Sequence, residues 1–160
     1  MASKIDFGKA AAEGLDATKR AASARAEMAG VLREASEALT RTFKVELRLS
    51  FTRIERDVRR RSVLESIALI PPSTEKVTVL RLAFEQGAED LADVELDEMG
   101  YPVALRWRQS VAVATDRSSF EKAIATLLKS TAAGEKIARL LTKARANPGG
   151  DVIPSPEGRG

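Results

Sequence analysis

Phe43-Lys44-Val45-Glu46-Leu47-Arg48-Leu49-Ser50-Phe51-Thr52 alternates apolar and polar side chains without a break. In an extended chain successive side chains point to opposite faces, so Phe43, Val45, Leu47, Leu49 and Phe51 share one side and Lys44, Glu46, Arg48, Ser50 and Thr52 the other. The stretch predicts a half-buried strand of antiparallel type. It also divides the chain, with helix formers before it and strands followed by helices after it.

Upstream, Ser3 to Thr42 is dominated by Ala, Leu, Glu, Lys and Arg and holds no proline, which predicts one long helix. Ala21, Ala24, Met28, Val31, Ala35, Ala38 and Thr42 recur at spacings of three and four, and Leu32, Leu39 and Phe43 widen that stripe. Alanine buries little area, so the first half of the helix has a weak reason to dock and Met28 to Phe43 a strong one. Gly8, Gly14 and Gly30 each cost roughly 1 kcal/mol relative to Ala, and the first turns are expected to fray. Two partners suit this face: the chain's own sheet, or a second copy approaching closely over the small residues. On the second reading Met28, Val31, Leu32, Ala35 and Leu39 form an oligomer interface.

Composition narrows the chemistry. The 160 residues are 44% hydrophobic, enough for one core, but only 4% aromatic, so that core is built from Leu, Ile, Val and Ala. There is no Cys and no His. Disulfides, thiol nucleophiles, the usual zinc sites and His general bases are thereby excluded. No phosphate-cradling glycine loop and no GxSxG motif occurs, and the reading is of a non-enzyme without cofactor or metal. No apolar run has signal-peptide or membrane-spanning length, so a cytoplasmic protein that does not enter a membrane is expected. The net charge of +3 permits a polyanionic partner without requiring one.

Arg53 to Arg61 is the most basic segment. Arg53, Arg56, Arg59, Arg60 and Arg61 can follow a phosphate backbone, which supports nucleic-acid binding as the alternative function. Glu55 and Asp57 dilute the cluster, and no aromatic is interleaved to stack on a base, so a solvated turn or rim is expected first. Ser62 to Ile70 is short and apolar, so periodicity alone does not separate helix from strand; a strand is favoured because Pro71-Pro72 and the loop after them return the chain into another at Val77 to Phe84.

From Glu85 to Glu98 the charge reverses: Glu85, Glu89, Asp90, Asp93, Glu95, Asp97 and Glu98 occur with no Lys or Arg among them. The ordered Ca2+ loop pattern is absent, and the stretch predicts an acidic loop facing the basic segment, in the same molecule or a neighbour. A meander follows from Val94 to Thr115, with Gly100 supplying a positive-φ turn, Tyr101 to Trp107 a strand, and Val111 to Thr115 its return. Tyr101 and Trp107, the sole residues of their kinds, share a face and are candidates for a partner-binding hot spot.

Asp116 and Ser118 are both credible N-caps, and Ser118 to Glu121 fits a capping box. Phe120, Ile124, Leu127 and Leu128 give one apolar helix face and Ile137, Leu140, Leu141 and Ala144 a second, with a break around Ser130 to Gly134. Helix-turn-helix recognition is disfavoured, since the second helix offers no Asn or Gln for base edges. Residues 147–160 are rich in Gly and Pro, with Val152 and Ile153 able to add as a strand to a neighbour's edge. The fold class is thus α+β: a long N-terminal helix over 1–42, an α+β domain over 43–146 with four to five antiparallel strands and two C-terminal helices on the sheet, and a tail over 147–160. The expected function is protein-protein interaction or assembly as a homo-oligomer or with a protein partner, through the first helix and complementary charged surfaces.

Overall fold

Asp6 opens the first helix by accepting a hydrogen bond from the Lys9 N–H at 3.0 Å. That helix, α1, runs over Phe7–Phe43 and ends where Lys44 turns left-handed (φ 60°) and donates its N–H to the Thr40 carbonyl. The structure, a computed structural model, describes residues 4–57 and 74–146. Strands β1 (Arg48–Asp57), β2 (Thr74–Phe84), β3 (Gly87–Asp97), β4 (Gly100–Trp107) and β5 (Ser110–Ala114) follow, and then helices α2 (Arg117–Lys129) and α3 (Thr131–Ala146). The five strands form one antiparallel meander in chain order, with the helices packed on it: the architecture is α+β. No helix among the described residues is long and apolar enough to cross a membrane.

The alternating stretch holds its faces but not its starting point. Phe43 closes α1 and the strand begins at Arg48, because the helix stripe carries through to Phe43 before the left-handed residue. Leu47 and Leu49 are buried, Phe51 half-buried, and the intervening residues point away. Arg53 to Asp57, expected as a turn or rim, instead prolongs β1 in unbroken register from Arg48↔Ala83 to Asp57↔Thr74. Its alternation is broken: Arg53 and Glu55 stand where the face of Leu47, Leu49 and Phe51 would continue, and Ile54 falls on the other face. The expected strand over 62–70, Arg59, Arg60 and Arg61, and the tail over 147–160 lie outside the described residues.

The acidic stretch is likewise corrected: most of it is the central strand β3, not a loop. Its core positions are Leu91, Ala92 and Val94, with a bulge opposite Leu80 and Arg81 that lets the consecutive Leu91 and Ala92 both be buried. Asp90, Asp93 and Glu95 line the opposite face, where arginines of three other strands meet them: Arg81 on Asp90 at 2.7 Å, Arg56 on Asp93 at 2.9 Å and Arg106 on Glu95 at 3.2 Å, while Glu89 pairs with Arg139 of α3 at 3.1 Å. The bidentate Arg56 guanidinium holds the Asp93 carboxyl below the usual carboxylate range, and Asp93 in turn raises the pKa of Arg56. Of the basic segment, Arg56 therefore meets the acidic stretch within one molecule.

On the core face, Leu80, Leu82, Val103, Leu105 and Ala114 meet Met28, Val31 and Leu32 of α1, Phe120, Ile124 and Leu127 of α2, and Ile137 and Leu140 of α3. Phe120 is fully buried, its ring 6.1 Å from that of Phe51. Asp116 caps α2 in a reciprocal box with Ser119; Ser118 takes no part, and Glu121 pairs with Arg117. A single residue separates the last two helices. Ser130 gives its N–H to the Leu127 carbonyl, ending α2, while its hydroxyl accepts from the Ala133 N–H, starting α3.

Candidate protein-docking site

Among the described residues β1 is an outer strand of the sheet, so alternate residues along it turn their backbone N–H and C=O groups away from β2. Leu49 is one of these and Leu47, just before the strand, continues the row; α1 supplies partners to both with hydroxyls. Thr40 Oγ1 accepts from the Leu47 N–H at 3.0 Å and lies 3.2 Å from its carbonyl. The buried Ser36 Oγ accepts from the Leu49 N–H at 2.8 Å and donates to the Leu32 carbonyl at 2.6 Å. Four helical residues advance about 6 Å and two strand residues about 6.6 Å, so the steps of helix and strand match. One step further on, α1 presents Leu32, which has no hydroxyl. From there the outward groups of Phe51, Arg53 and Glu55 meet no hydrogen-bond partner among the described residues.

Between α1 and this edge lies an open groove of about 930 Å³. Leu32, Leu47, Leu49 and Phe51 give it an apolar floor. Its rim carries Arg25, Arg33, Arg41 and Arg48 against Glu37 and Glu46, and none of these four arginines forms an ion pair among the described residues. A second cleft of about 510 Å³ adjoins it through the shared residues Glu46 and Arg48. The arrangement offers unpaired strand backbone, apolar surface and positive charge. Among the described residues no cluster of acidic side chains is set to hold a metal ion.

The residues singled out from sequence are placed differently. Met28, Val31 and Leu32, expected at an oligomer interface, are buried in the chain's own core, with Ala35 and Leu39 partly buried against it. Their face is consumed by the sheet, which offers α1 more apolar area than its alanines could find on a second helix. Arg53 and Arg56 point to opposite sides of β1, and Asp93 occupies Arg56. Trp107 is 8% exposed and belongs to the core. Tyr101 is half-buried at the core edge, its hydroxyl donating to Glu27 Oε2 of α1 at 3.4 Å. Neither presents the exposed aromatic face a hot spot needs. Ser36 and Thr40 were missed; the signal for them is two hydroxyls four apart, flanking the apolar stripe beside Leu32 and Leu39.

Burial, reinforced by the Glu27 carboxylate, pushes the Tyr101 phenol up to about 12. Because the folded value is raised above the unfolded one near 10, the stability it confers is complete below pH 10 and lost as pH rises from about 10 to 12. With one Tyr in the chain, phenolate absorbance at 295 nm reads the group directly. The expected midpoint is near 12 in the folded protein, lowered by Glu27→Gln; a midpoint at 10 would mean that α1 does not cover this ring.

No protein-family model, curated protein or solved structure matches the chain.

Proposed function

We propose that the protein is a non-catalytic assembly module that self-associates through the first four turns of α1. One observation carries this reading: from Lys4 to Arg20 every residue except the half-buried Ala17 is exposed, and Ile5 (69%), Phe7 (78%) and Leu15 (59%) are apolar side chains left in water. Phe7, Ala10, Gly14 and Ala17 continue, at the same three-and-four spacing, the stripe that docks on the sheet from Ala21 onward. The docked half supplies the nucleus for the helix, so the projecting half forms without a fresh nucleation cost. Its apolar face then lacks only a partner.

Magnitudes set the expected strength. Burying Phe7 and Leu15 contributes about 1.5–3 kcal/mol per side chain, or about 6–12 kcal/mol for a pair of copies, against an association cost of about 4–15 kcal/mol. Association is therefore expected to be concentration-dependent. Light scattering across a dilution series is expected to show an oligomer that Phe7→Glu with Leu15→Glu converts to monomer, with the melting temperature unchanged at dilutions where wild type is itself monomeric, because both side chains are exposed. A wild-type monomer at every concentration would refute the proposal. The alternative, nucleic-acid binding through 53–61, draws less support. Arg56 is committed to Asp93 and Arg53 faces the other side of the strand.

A further inference from the structure

We infer that the outer edge of β1, with the groove along α1, receives an extended, acid-bearing segment of a partner protein by strand addition. The inference is independent of association through the projecting turns of α1, which lie outside the groove. Strand addition requires main-chain groups free to pair, and among the described residues the edge is satisfied only at Leu47 and Leu49, by α1. The row beginning at Phe51 continues the same line of donors and acceptors.

Side-chain chemistry selects what can lie there. The floor of Leu32, Leu49 and Phe51 accepts apolar side chains on every second residue of an added strand. Arg25, Arg33 and Arg41 recur every eighth position of α1, which is about 12 Å along the helix axis. Eight residues also turn the helix by about 80°, so the three guanidiniums spread across the groove rim instead of forming a row, and they favour an acidic guest by charge without fixing its register. A second copy fits less well: β1 carries Arg48, Arg53 and Arg56 against only Glu55 and Asp57, so a second β1 brings net positive charge to an already positive rim, and β5, at the other edge of the described sheet, carries no acidic residue to offer. Nucleic acid leaves the apolar floor and the strand backbone unused. It also finds no free aromatic face in the groove, since the Phe51 ring packs against Phe120.

The test uses the full chain and a fluorescein-labelled probe, acetyl-Glu-Val-Glu-Ile-Glu-Val-Glu-amide, with polarisation and hydrogen exchange as readouts. Saturable binding is expected, with protection gained at the amides of Phe51, Arg53 and Glu55. Affinity is expected to fall at least tenfold when Arg25, Arg33 and Arg41 are all changed to Gln, when Lys replaces Glu in the probe, and when alternate probe amides are N-methylated. Arg33→Gln alone, at an exposed position, is a milder variant expected to weaken binding several-fold without affecting the fold. Absence of binding, or binding indifferent to N-methylation or to the arginine changes, would overturn the inference. So would edge amides already protected in the free monomer, which would assign the edge to a segment of the same chain. Protection appearing only as the chain dimerises would assign it to a second copy, and displacement of the probe by oligothymidylate through the same arginines would assign the groove to nucleic acid.

Discussion

Gly100→Ala is expected to lower the unfolding free energy by about 2–5 kcal/mol. Two costs combine. Gly100 has φ +92°, where an L side chain is strained by about 1–2 kcal/mol. A Cβ built there lies 2.5 Å from the Ala24 Cβ, so β4 or α1 must also shift, and overpacking of this kind costs about 1–3 kcal/mol. Urea denaturation measures the sum. A double-mutant cycle with Ala24→Gly separates the parts, because that change relieves the contact and leaves the backbone strain, at about 1 kcal/mol for a glycine inside a helix. A loss below about 0.5 kcal/mol for Gly100→Ala would show that α1 does not cross β4 this closely. The crossing matters beyond stability, because it fixes one end of the docked half of α1. The β1 edge fixes the other, and together they aim the exposed turns and open the groove.

Much of this scaffold is legible in the sequence, and the failures have physical causes. The alternation from Val45 to Phe51 identifies the first strand because burial on one face imposes a period of two on it. The same rule hid β3, whose outer face carries carboxylates placed for arginines on three other strands, a partnership that exists only once the sheet has formed. Met28, Val31 and Leu32 announce a helix face that must be covered, but an apolar stripe does not specify its cover. The sheet reaches it first within the chain. The half of the helix before Ala21 is unremarkable in sequence, and Phe7 and Leu15 stand out there only once their neighbours are known to be exposed. The docking groove was invisible for a related reason: it is made by the absence of a hydroxyl at Leu32, one step beyond Ser36.

Replacing Ser36 with Ala and Thr40 with Val is expected to cost about 2–5 kcal/mol together, since each change strips a main-chain group of its partner. A buried group left unsatisfied costs about 1–3 kcal/mol. Ser36 is the only buried polar residue among those described, and its hydroxyl is the sole acceptor for the Leu49 N–H there. Thr40→Val preserves shape and removes the hydroxyl, so its effect isolates the hydrogen bonds to Leu47; Thr40→Ser keeps them and is expected to remain near wild type. Denaturation in urea reads the stability of each variant. Light scattering reads a second consequence, because the double variant lengthens the bare edge of β1 from Phe51 back to Leu47, and a longer unprotected edge invites pairing between molecules. Increased scattering by a variant still folded at low denaturant would show that α1 guards the edge as well as covering the core. Unchanged stability and unchanged scattering would mean that water replaces both hydroxyls. In that case the boundary between guarded and open edge, on which the groove's position depends, would not be set by α1.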